Sequence, residues 1–386
     1  MPTGIKAVRL SRREWLARCA AFAAGGTAVQ PTQGAAALPI TRFAAAWQAE
    51  TGYQVGMLEC SGPGLAVRAT LDVPTRAHGL WQEAGGTLLA VARRPGDWLL
   101  RWRPDGRALA RAWIEADRAF NGHVISSADG RHLFTTETHL ETGQGLIGVR
   151  DAASLQKLAE WPSHGMDPHE LLLDTDGSLL VANGGIPTLP ETGRLKLNLD
   201  RMDSSLVRLA PDRGTLLGQW RLDDARLSLR HMAWGQDGLG AAGPAGRMLG
   251  IALQAEHADA AQKQNAPVLA IFNGRALHTA AAPRALAGYG GDIAFAAGRF
   301  AVSCPRAHGV ALYDSAGHWQ TFASLNTACA LAADPAHTPP IWAGGERQAL
   351  ALPLANAREV PLLAAQMRLD NHWLLLWPGT TPTPVA

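Results

Sequence analysis

The sequence has few charged residues, and no block of Lys and Arg lies within its body. Charged side chains make up 18% of the 386 residues, and the net charge is only +2. A phosphate-binding surface needs clustered Lys and Arg, so binding to nucleic acid is not expected. The chain is 47% hydrophobic, which is too apolar for disorder. These values predict a folded globular protein.

Long apolar runs and several well-known catalytic motifs are also missing. No stretch approaches the roughly 20 apolar residues that a spanning helix needs. The sequence has no Cys-x-x-Cys-His motif, which excludes covalent c-type haem. It has no Gly-x-Ser-x-Gly elbow and no Walker loop. Neither a nucleophile-elbow hydrolase nor a P-loop nucleotide enzyme is therefore indicated.

The first 37 residues have the pattern of an export signal. The pair Arg12-Arg13 precedes an uncharged, Ala- and Gly-rich stretch, and the small-residue run Gly34 to Ala37 follows it. This order is similar to a twin-arginine signal and predicts cleavage after Ala37. Arg18 stands where a lipoprotein signal needs a small residue before Cys19, so no membrane anchor is expected. We predict a periplasmic protein with a single domain over residues 38–386.

Glycine and proline are plentiful, and a short pattern recurs between them. Each copy has an apolar strand start, a Gly-rich or Asp-Gly turn and a second strand. The copies start near residues 78, 123, 169, 231, 292, 329 and 372. Most of these spacings are close to the ~40 to 50 residues of a four-stranded propeller blade, and the two longest gaps would carry insertions. The repeat predicts an all-β fold, a seven-bladed β-propeller.

The two ends of the chain are predicted to close this ring. The last repeat begins too near the C-terminus to form a complete blade, whereas strand-like stretches at Val55 to Cys60 and Leu65 to Leu71 precede the first repeat. Pairing of the N- and C-terminal strands would complete the seventh blade and remove exposed sheet edges. A long excursion over residues 186 to 200 is predicted either to cover the channel mouth or to cap a blade edge.

The strand starts of a propeller face one mouth of its central channel, which makes them the candidate site. Imidazole and thiolate ligands favour zinc, copper or iron over calcium. The alternative is that the imidazoles only tie neighbouring loops together by hydrogen bonds. Asp292 and Cys329 would lie beside the ring, and a disulfide between Cys304 and Cys329 is as plausible as metal ligation. The predicted metal ligands are His78, His123, His169, His231 and His372.

The ends of the second strands should share the same face, because the second strand of a blade runs antiparallel to the first. On this basis Arg93, Glu137 and Asn183 are predicted to contact a bound cofactor. If the protein were an enzyme, Glu137 or Glu256 would act as a base on a metal-activated water.

Several motifs, among them Pro168-His169-Glu170-Leu171, Gly122-His123 and Arg230-His231, resemble an uncharacterised, domain-of-unknown-function family of twin-arginine-exported periplasmic propellers. The resemblance spans the predicted mature chain, and it implies a part in periplasmic iron acquisition. Imelysin-type proteins and di-haem oxidoreductases are the implied partners. The motifs that carry it are Pro162-Ser163-His164-Gly165, Pro168-His169-Glu170-Leu171, Val181 to Ile186, Lys196 to Asp200, Ala92 to Gly96, Gly122-His123, Arg230-His231 and Asp370-Asn371-His372.

Three functional hypotheses follow. The first is a periplasmic accessory protein that binds iron, copper or a metal complex during metal uptake, through the channel-face histidines. The second is a metal-dependent propeller hydrolase or oxidoreductase. The third is a purely structural or protein-interaction scaffold.

Overall fold

The computed structural model describes residues 40–61, 64–187, 199–236, 247–333, 340–352, 358–362 and 367–376. The predicted export signal over residues 1–37 lies outside these residues. So does most of the predicted channel cover, residues 188–198. Among the described residues, no helix has both the length and the apolar character needed to cross a membrane.

The described strands form seven four-stranded antiparallel sheets, as the repeat predicted. The chain begins with β1 (Thr41–Ala49), β2 (Gly52–Ser61) and β3 (Gly64–Val73), and six complete blades follow. Blade 1 is β4 (Ala77–Gln82), β5 (Leu88–Ala92), β6 (Trp98–Trp102) and β7 (Ala108–Trp113); blade 2 is β8 (Arg118–Ser126), β9 (His132–His139), β10 (Gln144–Asp151) and β11 (Lys157–Met166). Blade 3 is β12 (Pro168–Leu173), β13 (Leu179–Asn183), β14 (Ser205–Leu209) and β15 (Leu216–Trp220).

The second half of the molecule repeats this plan. Blade 4 is β16 (Leu227–Gln236), β17 (Arg247–Ala255), β18 (Leu269–Phe272) and β19 (Leu277–Thr279), and blade 5 is β20 (Ile293–Ala296), β21 (Arg299–Cys304), β22 (Gly309–Asp314) and β23 (Trp319–Ser324). Blade 6 is β24 (Ala330–Ala333), β25 (Ile341–Gly344), β26 (Gln348–Leu352) and β27 (Arg358–Pro361). A short helix, α1 (Ala260–Asn265), follows β17 and is capped by Asp259, which accepts a hydrogen bond from the Gln262 amide.

The seventh blade is built from both ends of the chain. The last strand, β28 (Arg368–Leu375), pairs antiparallel with β1, which gives a sheet in the order β28-β1-β2-β3. The innermost strands then contact one another in sequence around the ring, from β28 through β4 and on to β24. This arrangement confirms closure by the terminal strands.

The middle strands are apolar on both faces because each blade packs between two neighbours. All five residues of β5 are buried, whereas most of the outer strand β7 is exposed. Covering both faces explains why such strands appear in the sequence as continuous apolar runs rather than as alternating patterns. Each fully buried Leu or Val contributes about 1.5 to 3 kcal/mol.

Candidate metal site

Bulges interrupt the innermost strands at the positions of the five predicted histidines. The register of β4 against β5 shifts between Ala77 and Leu80, which leaves His78 out of the ladder. The strands that carry the other four histidines show equivalent shifts: Phe120 to Val124, Pro168 to Glu170, Leu229 to Met232, and the β28 residues opposite Ala45 to Trp47. A bulge bends its strand and re-aims a side chain. The same device therefore turns each imidazole toward the channel.

Four of these histidines form one buried group, here called the histidine cluster: His78, His123, His169 and His231. One ring nitrogen from each lies within 4.8 Å of the chosen nitrogen of every other. Two nitrogens that share a metal at about 2.1 Å each can be no more than about 4.2 Å apart. Four nitrogens placed tetrahedrally around one ion lie about 3.4 Å apart, so the imidazoles would have to move inward by roughly 1 Å to share an ion.

The fifth histidine, His372, adjoins the cluster. Its ring centroid is 4.4 Å from that of His231 and 4.5 Å from that of His78. Its Nδ1 lies 3.3 Å from Asp292 Oδ2. Asp292, which was predicted to lie beside the ring, can therefore orient this imidazole. A carboxylate behind a ligating imidazole fixes its tautomer and direction.

One side of the cluster is a directional chain of hydrogen bonds. His231 Nδ1 lies 2.6 Å from the Gly291 carbonyl, which can only accept, so Nδ1 carries the proton. His231 Nε2 must then accept from His169 Nε2, 2.8 Å away. His169 Nδ1 in turn accepts from the Arg230 guanidinium at 3.3 Å. Both imidazoles are held as neutral tautomers.

The other side of the cluster has buried ring nitrogens without hydrogen-bond partners. They are His78 Nδ1, His123 Nε2 and the neighbouring His372 Nε2. A buried polar atom left unpaired costs about 1 to 3 kcal/mol, so native proteins rarely leave one without a reason. Two of these atoms belong to the cluster and one to the adjoining His372, and each has a lone pair that a metal could take up.

Burial lowers the pKa of all four cluster histidines well below the usual value for imidazole, and neighbouring positive groups lower it further. For His169 the largest of these neighbours is Arg230. Neutral imidazole is the form that binds metal, because the lone pair is free of a proton. At neutral pH the cluster is therefore in its ligand-competent state.

Two glycines let the rings of neighbouring blades approach. Gly122 has a φ of 108°, and a Cβ there would lie 2.5 Å from His78 Cδ2. A Cβ on Gly79 would lie 2.4 Å from the Gly122 carbonyl oxygen. Side chains at either position would push His78 and His123 apart, so the Gly-His pairs of the sequence have a steric reason.

Glu170, next to His169, connects the cluster to blade 4. One carboxylate oxygen accepts the Met232 amide, and the other lies 3.7 Å from His123 Nδ1. Burial raises the pKa of Glu170 well above its usual value. This carboxyl group therefore lies on the Nδ1 side of His123, whereas the ring nitrogen without a partner is Nε2.

A small cavity opens beside the cluster and is rich in arginine. Its volume is about 30 Å³, and its wall includes Arg93, Arg94 and Arg230 together with three of the cluster histidines. Arg94 and Arg230 both pair with the buried Asp167, the latter at 3.1 Å. Arg93, predicted from the sequence to contact a cofactor, is therefore brought to the site.

Glu137, the second predicted cofactor contact, is not brought to the cluster. Its fully buried carboxylate lies 2.8 Å from Arg150 Nη2 and 2.7 Å from Lys157 Nζ, on the outer strands of its own blade. Thr135 also donates to it, at 2.6 Å. Its contacts are those of a structural ion pair, which leaves it without the role of a base in this site.

Asn183 is likewise turned away from the cluster. Its amide donates to the Ser163 carbonyl at 2.9 Å, and its side-chain oxygen accepts from the Ser163 hydroxyl at 2.8 Å. Ser163 belongs to β11 of the preceding blade, so Asn183 ties two blades together. Side chains within a strand stand perpendicular to the sheet rather than along the strand toward the channel mouth, which is the physical reason for both corrections.

The cysteines contribute neither a disulfide nor a thiolate ligand among the described residues. No disulfide joins Cys60, Cys304 or Cys329. Burial raises the pKa of Cys304 and of Cys329 to about 12, so both remain thiols at neutral pH. Glu256, the other base suggested by the sequence, is buried and accepts a hydrogen bond from Gln254.

Sequence reasoning assigned no role to Asp167, Glu170 or Arg230. Each precedes or follows a ring histidine by one or two residues, and that proximity was the available signal. Their partners come from other blades, up to 63 residues away, so no local pattern could reveal the pairs.

Comparison with known proteins assigns the sequence to a family. The family described as "Protein of unknown function (DUF1513)" matches residues 71–376, which include all five ring histidines. The chain belongs to the DUF1513 family. No curated protein sequence matches this DUF1513 chain.

Solved structures show the fold of the DUF1513 protein. A streptogramin B lyase structure is 14% identical with a TM-score of 0.51. The match covers 75% of this chain and 84% of the lyase chain. A chain of a mitotic checkpoint complex is also 14% identical, with a TM-score of 0.50 and coverages of 75% and 81%. A gluconolactonase from Xanthomonas campestris is 18% identical with a TM-score of 0.44. The match covers 76% of this chain and 86% of the gluconolactonase chain. At these identities the likeness to the first two structures concerns architecture alone.

Proposed function

We propose that this protein is a periplasmic metal-binding propeller that takes up one transition-metal ion, iron or copper, in its histidine cluster. His78, His123, His169 and His231 would supply the ligands, and His372 would complete or adjoin the set. The protein would act as an accessory in metal uptake, with imelysin-like proteins and di-haem oxidoreductases as candidate partners.

One observation carries this proposal. Four buried imidazoles from four blades bring ring nitrogens within 4.8 Å of one another, and two of these rings have a nitrogen without a hydrogen-bond partner. Low-pKa, neutral imidazoles suit copper, iron or zinc rather than calcium or magnesium. Buried thiols and a cation-paired Glu137 supply no competing chemistry nearby.

A structural role for the ring is the second candidate. The chain from Arg230 through His169 and His231 to the Gly291 carbonyl satisfies part of the cluster without any metal. If the ring were only structural, replacing its histidines would lower stability and leave metal affinity unchanged.

Titration of the untagged, metal-free protein with Cu²⁺ or Fe²⁺ distinguishes the two roles. The variant His123→Gln/His169→Gln removes two predicted ligands and keeps hydrogen-bonding side chains of similar size. We expect one ion per chain for the wild type and an affinity at least about 100-fold weaker for the variant. His318→Gln, an exposed histidine on blade 5, serves as the control. Equal affinities for all three proteins would contradict the proposal.

A further inference from the structure

Blade 5 has an aspartate at the strand start where five other blades have a histidine. Asp292 directly precedes β20, at the repeat position that the ring histidines occupy in their own blades. Its side chain is buried. Burying a carboxylate is costly unless hydrogen-bond donors compensate it. The donors around Asp292 therefore indicate its role.

These donors come from three blades. Asp292 Oδ1 accepts the amide of Ile293 in its own blade, and Oδ2 accepts the amide of Leu331 on β24 of blade 6, both at 2.9 Å. Oδ2 also lies 3.3 Å from Nδ1 of His372, on β28 of blade 7. The two amides anchor the carboxylate, so Asp292 is a fixed acceptor beside a histidine of the last strand.

A fixed acceptor at this position selects one tautomer of His372. The oxygen that faces Nδ1 already accepts a backbone amide, so Nδ1 carries the ring proton. The lone pair is then on Nε2, which is buried and has no hydrogen-bond partner. In metal sites a carboxylate commonly accepts from one ring nitrogen of a histidine while the other nitrogen binds the ion. His372 is therefore in the tautomer that a ligand of this kind has.

His372 is also as close to the histidine cluster as most of its members are to one another. Its ring centroid lies 4.4 Å from that of His231, 4.5 Å from that of His78 and 5.5 Å from that of His123. Within the cluster the corresponding distances run from 4.4 to 5.7 Å. His372 thus has both the tautomer and the position of a further ligand.

We propose that Asp292 is a positioning residue of the metal site and that His372, which it orients, is a metal ligand. This rests on the proposed metal-binding function, in which His372 either completes or adjoins the ligand set; here it completes the set. A carboxylate that accepts from Nδ1 also makes Nε2 a stronger electron-pair donor. Because His372 belongs to the strand that closes the ring, a bound metal would also hold β28 in the seventh blade.

A double-mutant cycle on copper affinity tests the proposal. Full-length, untagged and metal-free wild type, Asp292→Asn, His372→Gln and the double variant are each titrated with Cu²⁺ against a competing chelator. Asp314 and His318 supply the matched control, because they form the same kind of carboxylate–Nδ1 pair at 3.0 Å on the exposed surface of blade 5. Asp314→Asn, His318→Gln and their double variant are titrated in the same way.

We expect Asp292→Asn to weaken copper binding by about 10- to 100-fold, the usual effect of losing the partner of a metal-binding histidine. Because Asp292 acts through His372, Asp292→Asn should have no further effect in the His372→Gln background. Pulsed electron paramagnetic resonance should count one ligating imidazole fewer in His372→Gln than in the wild type. The control variants should bind copper as the wild type does.

A second measurement needs no change at Asp292. The two-bond ¹H–¹⁵N NMR correlations of the metal-free wild type report which ring nitrogen of His372 carries the proton, and His372→Gln identifies the signals by their loss. We expect the proton on Nδ1, and a proton on Nε2 would overturn the positioning role.

The copper titrations can overturn the proposal in two ways. One is an unchanged affinity in either single variant. The other is an equal loss from Asp292→Asn with and without His372, which is the result that a merely structural role predicts. Failure of the proposed metal function is visible separately, because the wild type would then bind no copper.

Discussion

At the scale of single residues, burial has two opposite effects on the ring histidines. It keeps each imidazole of the cluster neutral and ready to bind metal. It also removes water from His78 Nδ1, His123 Nε2 and His372 Nε2, which have no partner in the protein. Each such atom destabilises the metal-free fold by about 1 to 3 kcal/mol. A bound metal would remove that penalty, so loading should stabilise the protein.

The lowered imidazole pKa values predict that the metal-free protein loses stability in mild acid. Above pH ~6.5 the four histidines are neutral in both the folded and the unfolded chain. Below that pH the unfolded chain takes up protons that the folded cluster refuses. The free energy of unfolding therefore falls as the pH drops, by up to about 1.4 kcal/mol per pH unit for each histidine. The raised pKa of Glu170 acts in the opposite direction, but it is one group against four.

Urea unfolding of the metal-free protein at pH 7.5 and 5.5 measures this effect. The His123→Gln/His169→Gln variant should lose less stability between the two pH values than the wild type does, whereas His318→Gln should match the wild type. Equal stability at both pH values in the wild type would show that the cluster is not kept neutral by burial.

Glu137 is predicted to be structural. Its carboxylate is fully buried between Arg150 and Lys157, so Glu137→Gln removes the 2.8 Å partner of the buried Arg150, whereas Lys157 keeps Glu115 at 2.6 Å. Breaking a buried pair in this way costs about 3 to 5 kcal/mol. We expect a much lower denaturation midpoint with unchanged metal stoichiometry below the transition. Glu141→Gln, an exposed carboxylate in the turn between β9 and β10 of the same blade, should change little. Loss of metal in folded Glu137→Gln would restore a role in the site.

At the scale of elements, the bulge is the unit that builds the cluster. The spacing of the repeats located the strand starts, because the hydrophobic pattern and the Gly-rich turns are written locally in the sequence. The direction of the side chains at the second-strand ends could not be predicted in the same way. Side chains within a strand stand perpendicular to the sheet, whereas a residue beyond the strand end can turn toward the channel mouth, and the sequence does not mark where each second strand ends. Arg93 follows the end of β5 and reaches the site, whereas Glu137 and Asn183 lie within β9 and β13 and do not.

Gly122→Ala tests the bulge directly. The new methyl would lie 2.5 Å from the His78 ring, and the backbone φ of 108° is unfavourable for alanine. We expect a loss of about 1 to 3 kcal/mol in stability together with at least tenfold weaker metal binding. Gly130→Ala, with a φ of 69° and open space at its Cβ, carries the backbone strain alone. It should be destabilised with its metal affinity intact, and equal metal binding by both variants would argue against the bulge geometry.

At the scale of the whole molecule, ring closure explains why the site depends on the complete chain. β28, which carries His372, is the innermost strand of a blade whose other three strands come from residues 41 to 73. The short C-terminal remainder and the unpaired early strands made this closure predictable. Contacts such as Arg230 with Asp167, or His372 with Asp292, join different blades and become visible only when the ring is assembled.

The metal content of the protein, produced as the full chain with its own N-terminal segment and purified without a histidine tag, tests the central claim most directly. Elemental analysis should find about one iron or copper ion per chain in the wild type and in His318→Gln, and almost none in folded His123→Gln/His169→Gln. A wild-type protein without transition metal, accompanied by a double variant that only melts earlier, would contradict the claim. The histidine ring would then serve to hold the blades together.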